Sequence, residues 1–443
     1  MTCRSSFSIL LAALSITASA QTDAEDSLLV HDAPAPQLHW ADTSAVRSDT
    51  VMRHALQQMG IHFTTGNTVE LITTGQRKFQ LLFEDIRRAQ QQVNLEYFNF
   101  RNDSIGNALF DILGEKAAQG VAVNAMFDSF GNKSNDAPLR RRHLRNIRAT
   151  GIDVRVFDPL RFPWINHAYH RDHRKVVVID HSVCYTGGMN VADYYIHGRP
   201  RYGQWRDMHM RLTGPVVAAY DTVFTRMWHN SFGQPPADAA DSTFNLQTHL
   251  PWGGAGGGPP TATIGVVDRR PGRHSKLMRQ AYVAAIDAAQ RHIQIVNPYP
   301  TNVKSVRRAL RRALQRGVDV EIMVSSKSDV PITPDVVALE MKKLAKRGAR
   351  VYYNTDGFYH SKTMVIDSLF CTIGSTNLDA RSFLYDYEVN SFIIDTTTCR
   401  QLLDIFDADR QTCIGFTHKD YRRRFNFGHR LLGHLFSLFR GFL

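Results

Sequence analysis

Two short strings in this chain share one grammar. His173-Arg174-Lys175-Val176-Val177-Val178-Ile179-Asp180 is followed after six residues by Gly187-Gly188-Met189-Asn190. His360-Ser361-Lys362-Thr363-Met364-Val365-Ile366-Asp367 is followed after six by Gly374-Ser375-Thr376-Asn377, every shared position being offset by 187. Residues two apart on a strand share a face, so each His–Lys pair projects together while the apolar run behind it anchors the strand. Two such strands packed about a pseudo-twofold axis would gather His173, Lys175, Asn190, His360, Lys362 and Asn377 around one centre. Cationic and amide donors so arranged suit a phosphoryl group and the charge developing on its equatorial oxygens. One histidine can attack phosphorus while the other protonates the departing oxygen, a division of labour that requires no metal and no cofactor.

Four acids accompany these strings. Glu388, 28 residues past His360, and Asp207, 34 past His173, could each accept a hydrogen bond from the back nitrogen of a histidine and fix its tautomer. Proximity along the chain puts Glu388 beside His360, where it would favour the charged acid, and Asp207 beside His173. Asp180 and Asp367 close their strands next to turns, where aspartate is common, and a structural role is expected of them.

The elements that must position these groups also recur. Apolar residues Phe79, Leu82, Phe83, Ile86 and Ala89 mark a helix running into a strand at Val93–Tyr97, and Val283, Ile286 and Ala289 repeat the pattern 200 residues later. Helix-to-strand junctions carry glycine at Gly120 and Gly317 and again at Gly151 and Gly348, both pairs offset by 197. Alternating helix and strand in each half predicts an α/β fold present twice. Gln234-Pro235-Pro236 to Pro259-Pro260 is too rich in Pro and Gly for regular structure and marks the boundary.

Met1–Ala20 reads as a secretory signal peptide: Arg4, an apolar run from Phe7 to Ala18, then Ala18-Ser19-Ala20. The expected organisation is this signal (1–20), an extended or loosely docked arm (21–60), a first half (61–232), a linker (233–262), a second half (263–417) and a basic amphipathic tail (418–443). In the tail, Leu431, Leu432, Leu435, Phe436, Leu438, Phe439, Phe442 and Leu443 lie largely on one helical side beneath Arg422-Arg423-Arg424. An interfacial membrane helix and a helix docked on the protein's own core are the two readings. The chain's 443 residues, 43% hydrophobic and 21% charged, exclude disorder and a multi-span membrane protein. Its net charge of +12 favours a polyanionic partner, and export turns that expectation from nucleic acid toward an anionic membrane surface. Five cysteines without a CxxC pair argue against structural zinc. Cys399 and Cys413 form a disulfide or stay separate thiols, whereas Cys184 and Cys371 read as buried packing.

The paired strings resemble the phospholipase D superfamily, whose two HKD motifs combine into one site. The likeness is stronger to bacterial cardiolipin synthases. It rests on Gly66-Asn67-Thr68-Val69-Glu70-Leu71, Leu95-Glu96-Tyr97-Phe98, Gly187-Gly188-Met189-Asn190-Val191-Ala192-Asp193-Tyr194, Trp205-Arg206-Asp207-Met208-His209 and Asn377-Leu378-Asp379-Ala380-Arg381-Ser382, and departs from the usual form at Asn297-Pro298-Tyr299-Pro300-Thr301. The resemblance implies a duplicated α/β/α sandwich whose halves face one active site, with His173, Lys175, Asp180, His360, Lys362 and Asp367 as the catalytic set. Asn190, Asn377, Asp207 and Glu388 would support it. It further implies phosphatidyl transfer through a phosphohistidine, with phosphatidylglycerol as substrate and cardiolipin as product, whereas the signal peptide, standing where family members usually carry transmembrane helices, points to a periplasmic or cell-envelope location. A hydrolytic phospholipase D, a secreted nuclease or phosphodiesterase, and a non-catalytic membrane-binding module are the alternatives. The nucleophile is assigned to His173 on the resemblance, on the neighbouring Arg174, and on the longer approach to it through Phe157–Trp164.

Overall fold

The strands behind the two His–Lys pairs, Lys175–Ile179 and Thr363–Ile366, are buried at every residue, as continuous apolar runs require. Val177 and Ile179 face one core with helices Gly75–Arg88 and Ser104–Ala118, while Val176 and Val178 face another with helix Val217–Phe232. Helices therefore cover both faces of the sheet. The computed structural model describes residues 47–159, 169–234, 236, 261–272, 276–301, 303–331 and 333–438. The signal-like segment, most of the expected arm, linker residues 237–260 and residues 160–168 of the approach to His173 lie outside them.

Among the described residues, fifteen strands form one sheet. The first half supplies β1 (Phe63–Ile72), β2 (Gln92–Tyr97), β3 (Ala122–Asp128), β4 (Asp153–Phe157), β5 (Lys175–Ile179), β6 (Val183–Gly187), β7 (Trp205–Arg206) and β8 (His209–Thr213). The second supplies β9 (Ala262–Arg269), β10 (His292–Val296), β11 (Asp319–Ser325), β12 (Arg350–Asn354), β13 (Phe358–Tyr359), β14 (Thr363–Ile366), β15 (Phe370–Gly374), β16 (Glu388–Ile394) and β17 (Cys413–Phe416). The orders β1-β8-β6-β5-β2-β3-β4 and β9-β16-β15-β14-β10-β11-β12 match, with β17 added at one edge. Antiparallel pairing of β1 with β9 fuses the halves into one sheet. Strands β7 and β13 stand apart as a short parallel pair that also crosses between halves.

The junction glycines lie where the repeat placed them. Gly120, Gly151, Gly317 and Gly348 have φ between 84° and 103°, a region that a side chain disfavours, and each turns a helix into the next strand. One expectation fails at the N-terminal side. Ser48–Gln58, within the segment read as an arm, is a helix whose Val51, Met52 and Leu56 pack into the second half's core beside Met278 and Tyr282. Apolar residues at 51, 52, 55 and 56 give that helix a single buried stripe. Cys399 and Cys413 are separate free thiols: Cys399 is buried, and Cys413 Sγ meets the Asp409 carbonyl at 3.3 Å.

Candidate active site

Each motif histidine is fixed by backbone from the opposite half. His173 N–H donates to the Tyr387 carbonyl at 3.1 Å, and His360 N–H donates to the Arg206 carbonyl at 2.7 Å. Those carbonyls belong to the residues just before Glu388 and Asp207. Asp172 bridges Tyr387, and β13 bridges β7, so the same cross-half register is made twice. Its consequence is a crossed pairing of side chains. His173 Nδ1 meets Glu388 Oε1 at 3.0 Å, and His360 Nδ1 meets Asp207 Oδ2 at 2.6 Å. This corrects the expectation from chain proximity, which put each acid with the histidine of its own half.

Both acids are ionised. Burial alone would raise Glu388, but His173, Lys175 and Ser375 hold its carboxyl below the ordinary value. Burial likewise opposes ionisation of Asp207, and Lys362 and His360 hold it below the ordinary value. A carboxylate can only accept, so each histidine presents Nδ1–H to its acid and keeps the Nε2 lone pair for chemistry. The expected charged acid at His360 is not pre-formed. Burial and the Lys362 ammonium, with Nζ 2.9 Å from Nδ1, lower the His360 pKa despite Asp207.

Lys175 and Lys362 are buried, and each Nζ donates to the carbonyl of the histidine two residues before it. Burial brings Lys175 down to about 7, Glu388 and Asp207 counteracting and Lys362 adding to the fall. Lys362 is also lowered by burial, against Asp207 and Glu388. The two lysines thus share one neighbourhood with both acids. Asn190 and Asn377 are buried beside it, each with a side-chain oxygen lacking a partner. Unsatisfied buried acceptors of this kind mark places where an entering donor completes the network.

Asp180 and Asp367 do not belong to the reacting groups. The Asp180 carboxylate accepts the backbone N–H groups of Gln90, Gln91 and Gln92 at 2.7, 2.8 and 2.9 Å. Asp367 does the same for Gln290, Arg291 and His292 at 2.9, 2.8 and 2.9 Å. Each clasps the loop entering the neighbouring strand, β2 or β10, which keeps the motif strand in register. Arg174, adduced for the nucleophile assignment, is also structural. Strand alternation turns it away from His173 and Lys175, and it joins Glu96 at 3.1 Å and Asp268 of the other half.

Several site residues carried no signal in the reading by composition and period. Ser382 Oγ donates to Glu388 Oε1 at 2.6 Å and Ser375 Oγ to Oε2, so Glu388 is held on both oxygens. The one visible clue was the difference between Gly188 and Ser375 inside otherwise matching strings. A Cβ on Gly188 would stand 2.1 Å from Asp207 Oδ1, so the half that meets the shorter acid has no room for a serine. Lys78, fully buried, donates to the carbonyls of Met189 and Asn190 at 3.0 Å each and holds that loop. Phe98 packs edge-on to His173 at 5.2 Å, and Trp205, Phe358 and Tyr299 surround His360 at 5.7, 5.5 and 6.0 Å.

The family described as cardiolipin synthase, PLD-like domain, matches residues 82–228 and 282–410, one block in each half. The chain belongs to this phospholipase D-like family. It is 35% identical to the major cardiolipin synthase of Bacillus subtilis over 82% of its own length and 73% of that protein's. It is 31% identical to a cardiolipin synthase of Oceanobacillus iheyensis over 85% and 75% respectively. Among solved structures, phosphatidylserine synthase of Haemophilus influenzae superimposes with a TM-score of 0.67 over 88% of this chain and all of that one. Its 15% sequence identity makes that a likeness of fold. The phospholipase D-like fold is therefore a duplicated α/β/α sandwich whose halves meet at one shared site, and its crossed histidine–carboxylate pairs are the geometry derived above.

Proposed function

We propose that this phospholipase D-like protein transfers a phosphatidyl group between phospholipid alcohols, making cardiolipin from two phosphatidylglycerol molecules. The observation that carries the reading is the crossed arrangement: two neutral-capable imidazoles, each backed by an ionised acid of the opposite half, beside two buried ammonium groups. In the first step His173 Nε2 attacks phosphorus. The bond from phosphorus to the departing glycerol oxygen breaks, and His360 Nε2–H gives that oxygen its proton. Lys175 and Lys362 take the charge on the equatorial oxygens. In the second step His360 Nε2 removes the proton from the hydroxyl of a second phosphatidylglycerol. That oxygen forms the new bond to phosphorus, the bond to His173 breaks, and both histidines return to their starting states.

Support for His173 as nucleophile comes from its greater openness, its side chain being 14% exposed against 9% for His360. His360 must be charged in the first step. A phosphodiester anion offsets the lysine charge that lowers its pKa, leaving Asp207 to raise it. The proposal includes an exported enzyme working at an anionic membrane surface of the bacterial envelope, on the strength of Met1–Ala20 and the basic charge. Product analysis with phosphatidylglycerol vesicles tests the reaction. Cardiolipin and free glycerol in equal amounts support it, and phosphatidic acid with free glycerol but no cardiolipin assigns water as the acceptor. Acid-quenched single-turnover mapping tests the roles, since a phosphorylated peptide containing His360 and none containing His173 reverses them.

A further inference from the structure

The helix Phe427–Leu438 is packed with its polar side inward. It rests on helix Thr333–Ala345 through small and polar residues. His429 Nδ1 meets Asp335 Oδ1 at 3.0 Å, and Gly433 lies so close that a Cβ there would come within 2.7 Å of the Asp335 carbonyl oxygen. Ser437 is buried one turn further on. Gly433 and Ser437 thus form the seated face, with His429, its side chain still 56% exposed, reaching Asp335 from the same side. Phe427, Leu431 and Leu435 lie two positions away, about 200° round the helix, and point outward. Phe427, Leu431, Leu435 and Leu438 are 72%, 56%, 48% and 77% exposed. Among the described residues, five of the seven exposed large hydrophobic side chains belong to this helix, so the patch is not the usual scatter of single apolar residues.

Charge surrounds it. Residues 418–438 contain Lys419, Arg422, Arg423, Arg424 and Arg430 against the single acid Asp420. The cluster extends onto the supporting helix, where burial and the neighbouring Arg422, Lys343, Arg430 and Lys346 lower the Lys342 ammonium. A second copy of this chain would bring an identical positive cluster against the first. An anionic lipid surface instead supplies phosphates for the guanidinium groups and hydrocarbon for the leucines. The twelve described residues make a helix of about 18 Å against a hydrocarbon layer of about 30 Å, and with one face held by the protein its fit is to the plane of the interface.

We propose that Phe427–Leu438, held to the protein by His429, Gly433 and Ser437, lies in the surface of an anionic bilayer with Phe427, Leu431, Leu435 and Leu438 below the headgroups. The choice between a membrane helix and a docked helix dissolves, because one face does each. The choice of lipid rests on the phosphatidyl-transfer reading. Arg424 and Phe425 wall a largely apolar cavity of about 150 Å³ whose other walls include Pro298 and Ser325. Pro298 precedes Tyr299, which packs on His360, and Ser325 Oγ receives the N–H of Tyr359, the residue before His360.

The test is co-sedimentation of the full chain with vesicles of phosphatidylglycerol, of phosphatidylcholine, and of their mixture. Three proteins are compared: wild type, Leu431→Asp with Leu435→Asp, and Arg422→Glu with Arg423→Glu. Thermal midpoints verify folding, which outward-facing positions should preserve. The wild type is expected to bind phosphatidylglycerol vesicles, and each double variant to lose about tenfold or more in affinity, from loss of apolar insertion and from about 1 kcal/mol per basic residue respectively. The ratio of turnover on vesicles to turnover on dispersed short-chain phosphatidylglycerol should fall in both. Equal binding to neutral vesicles, undiminished binding by the variants, or a wild-type dimer that the leucine variant dissociates would overturn the proposal. Vesicle binding without turnover of either lipid form would strike down the catalytic reading and leave the docking intact. Turnover of dispersed lipid with no vesicle binding would do the reverse.

Discussion

His173 and Glu388, 215 residues apart in the chain, form one hydrogen-bonded unit, Nδ1 to Oε1 at 3.0 Å. The partner of each motif histidine comes from the other half, because the backbone bridges Asp172–Tyr387 and β13–β7 deliver acid and imidazole to the same point. Neither motif histidine is paired with a carboxylate of its own half.

Removing either acid should therefore impair chemistry attributed to the opposite histidine. Glu388→Gln and Asp207→Asn are each expected to lower kcat about 100-fold, with His173→Ala and His360→Ala lower still. In a single-turnover experiment both variants should slow the one step that forms the phosphohistidine and releases glycerol, and a substrate whose leaving group needs no proton should rescue Asp207→Asn but not Glu388→Gln. Full activity in either carboxamide variant would refute the crossed roles.

The clasps made by Asp180 and Asp367 act on stability. Asp180→Asn or Asp367→Asn weakens a carboxylate that accepts three backbone N–H groups. A loss of about 1–3 kcal/mol in denaturant unfolding is expected, with kcat at low temperature changed only a few-fold. A collapse of kcat with unchanged stability would restore these acids to the reacting set.

Activity should fall on the alkaline side. Burial brings the Lys175 ammonium down to about 7, so in the free enzyme it loses its proton as pH rises through that value. The profile of kcat/KM, which reports the free enzyme, should bend downward there, while a bound phosphodiester holds the proton and moves the limb of kcat higher. The charged His360 that the first step requires adds its own fall as pH rises, so Lys175→Arg should change the shape of that limb without abolishing it, and a wild-type kcat/KM that stays level to pH about 9 would exclude this lysine from phosphate binding. Between about 7 and 10.5 the unfolded lysine keeps a proton that the folded one has lost. The unfolded state binds more protons in that window, so the contribution of Lys175 is least favourable below about 7 and improves as pH rises.

Gly188 and Ser375 should not be interchangeable. Gly188→Ala places a methyl group 2.1 Å from Asp207 Oδ1 and should dislodge the acid from His360, costing at least about tenfold in kcat. Ser375→Ala removes one of three donors to Glu388 and should cost less. A crystal structure of the Gly188 variant with the 2.6 Å Asp207–His360 contact intact would contradict this account.

What the sequence alone determined was whatever lies within a few residues or repeats at a fixed offset. The His–Lys spacing, the apolar runs behind it and the glycine at each helix-to-strand junction are local, and their recurrence at 187 and 197 residues revealed two equivalent halves. Asp180 and Asp367 were legible as turn residues for the same reason. Tertiary structure decided what depends on how distant segments meet. Which acid serves which histidine follows from the fusion of β1 with β9 and the crossing of β7 with β13, contacts between segments more than 150 residues apart with no periodic signature. The same holds for Arg174, which looks like part of the motif but is turned by strand alternation into an ion pair with the other half. Residues 48–58 became a docked helix because the second half offers a groove their apolar stripe can fill. The tail's amphipathic pattern showed that it has two faces. Only the contacts of His429 and Gly433 with Asp335 showed that the small polar face is the one the protein holds, because close packing admits a glycine where it rejects a leucine.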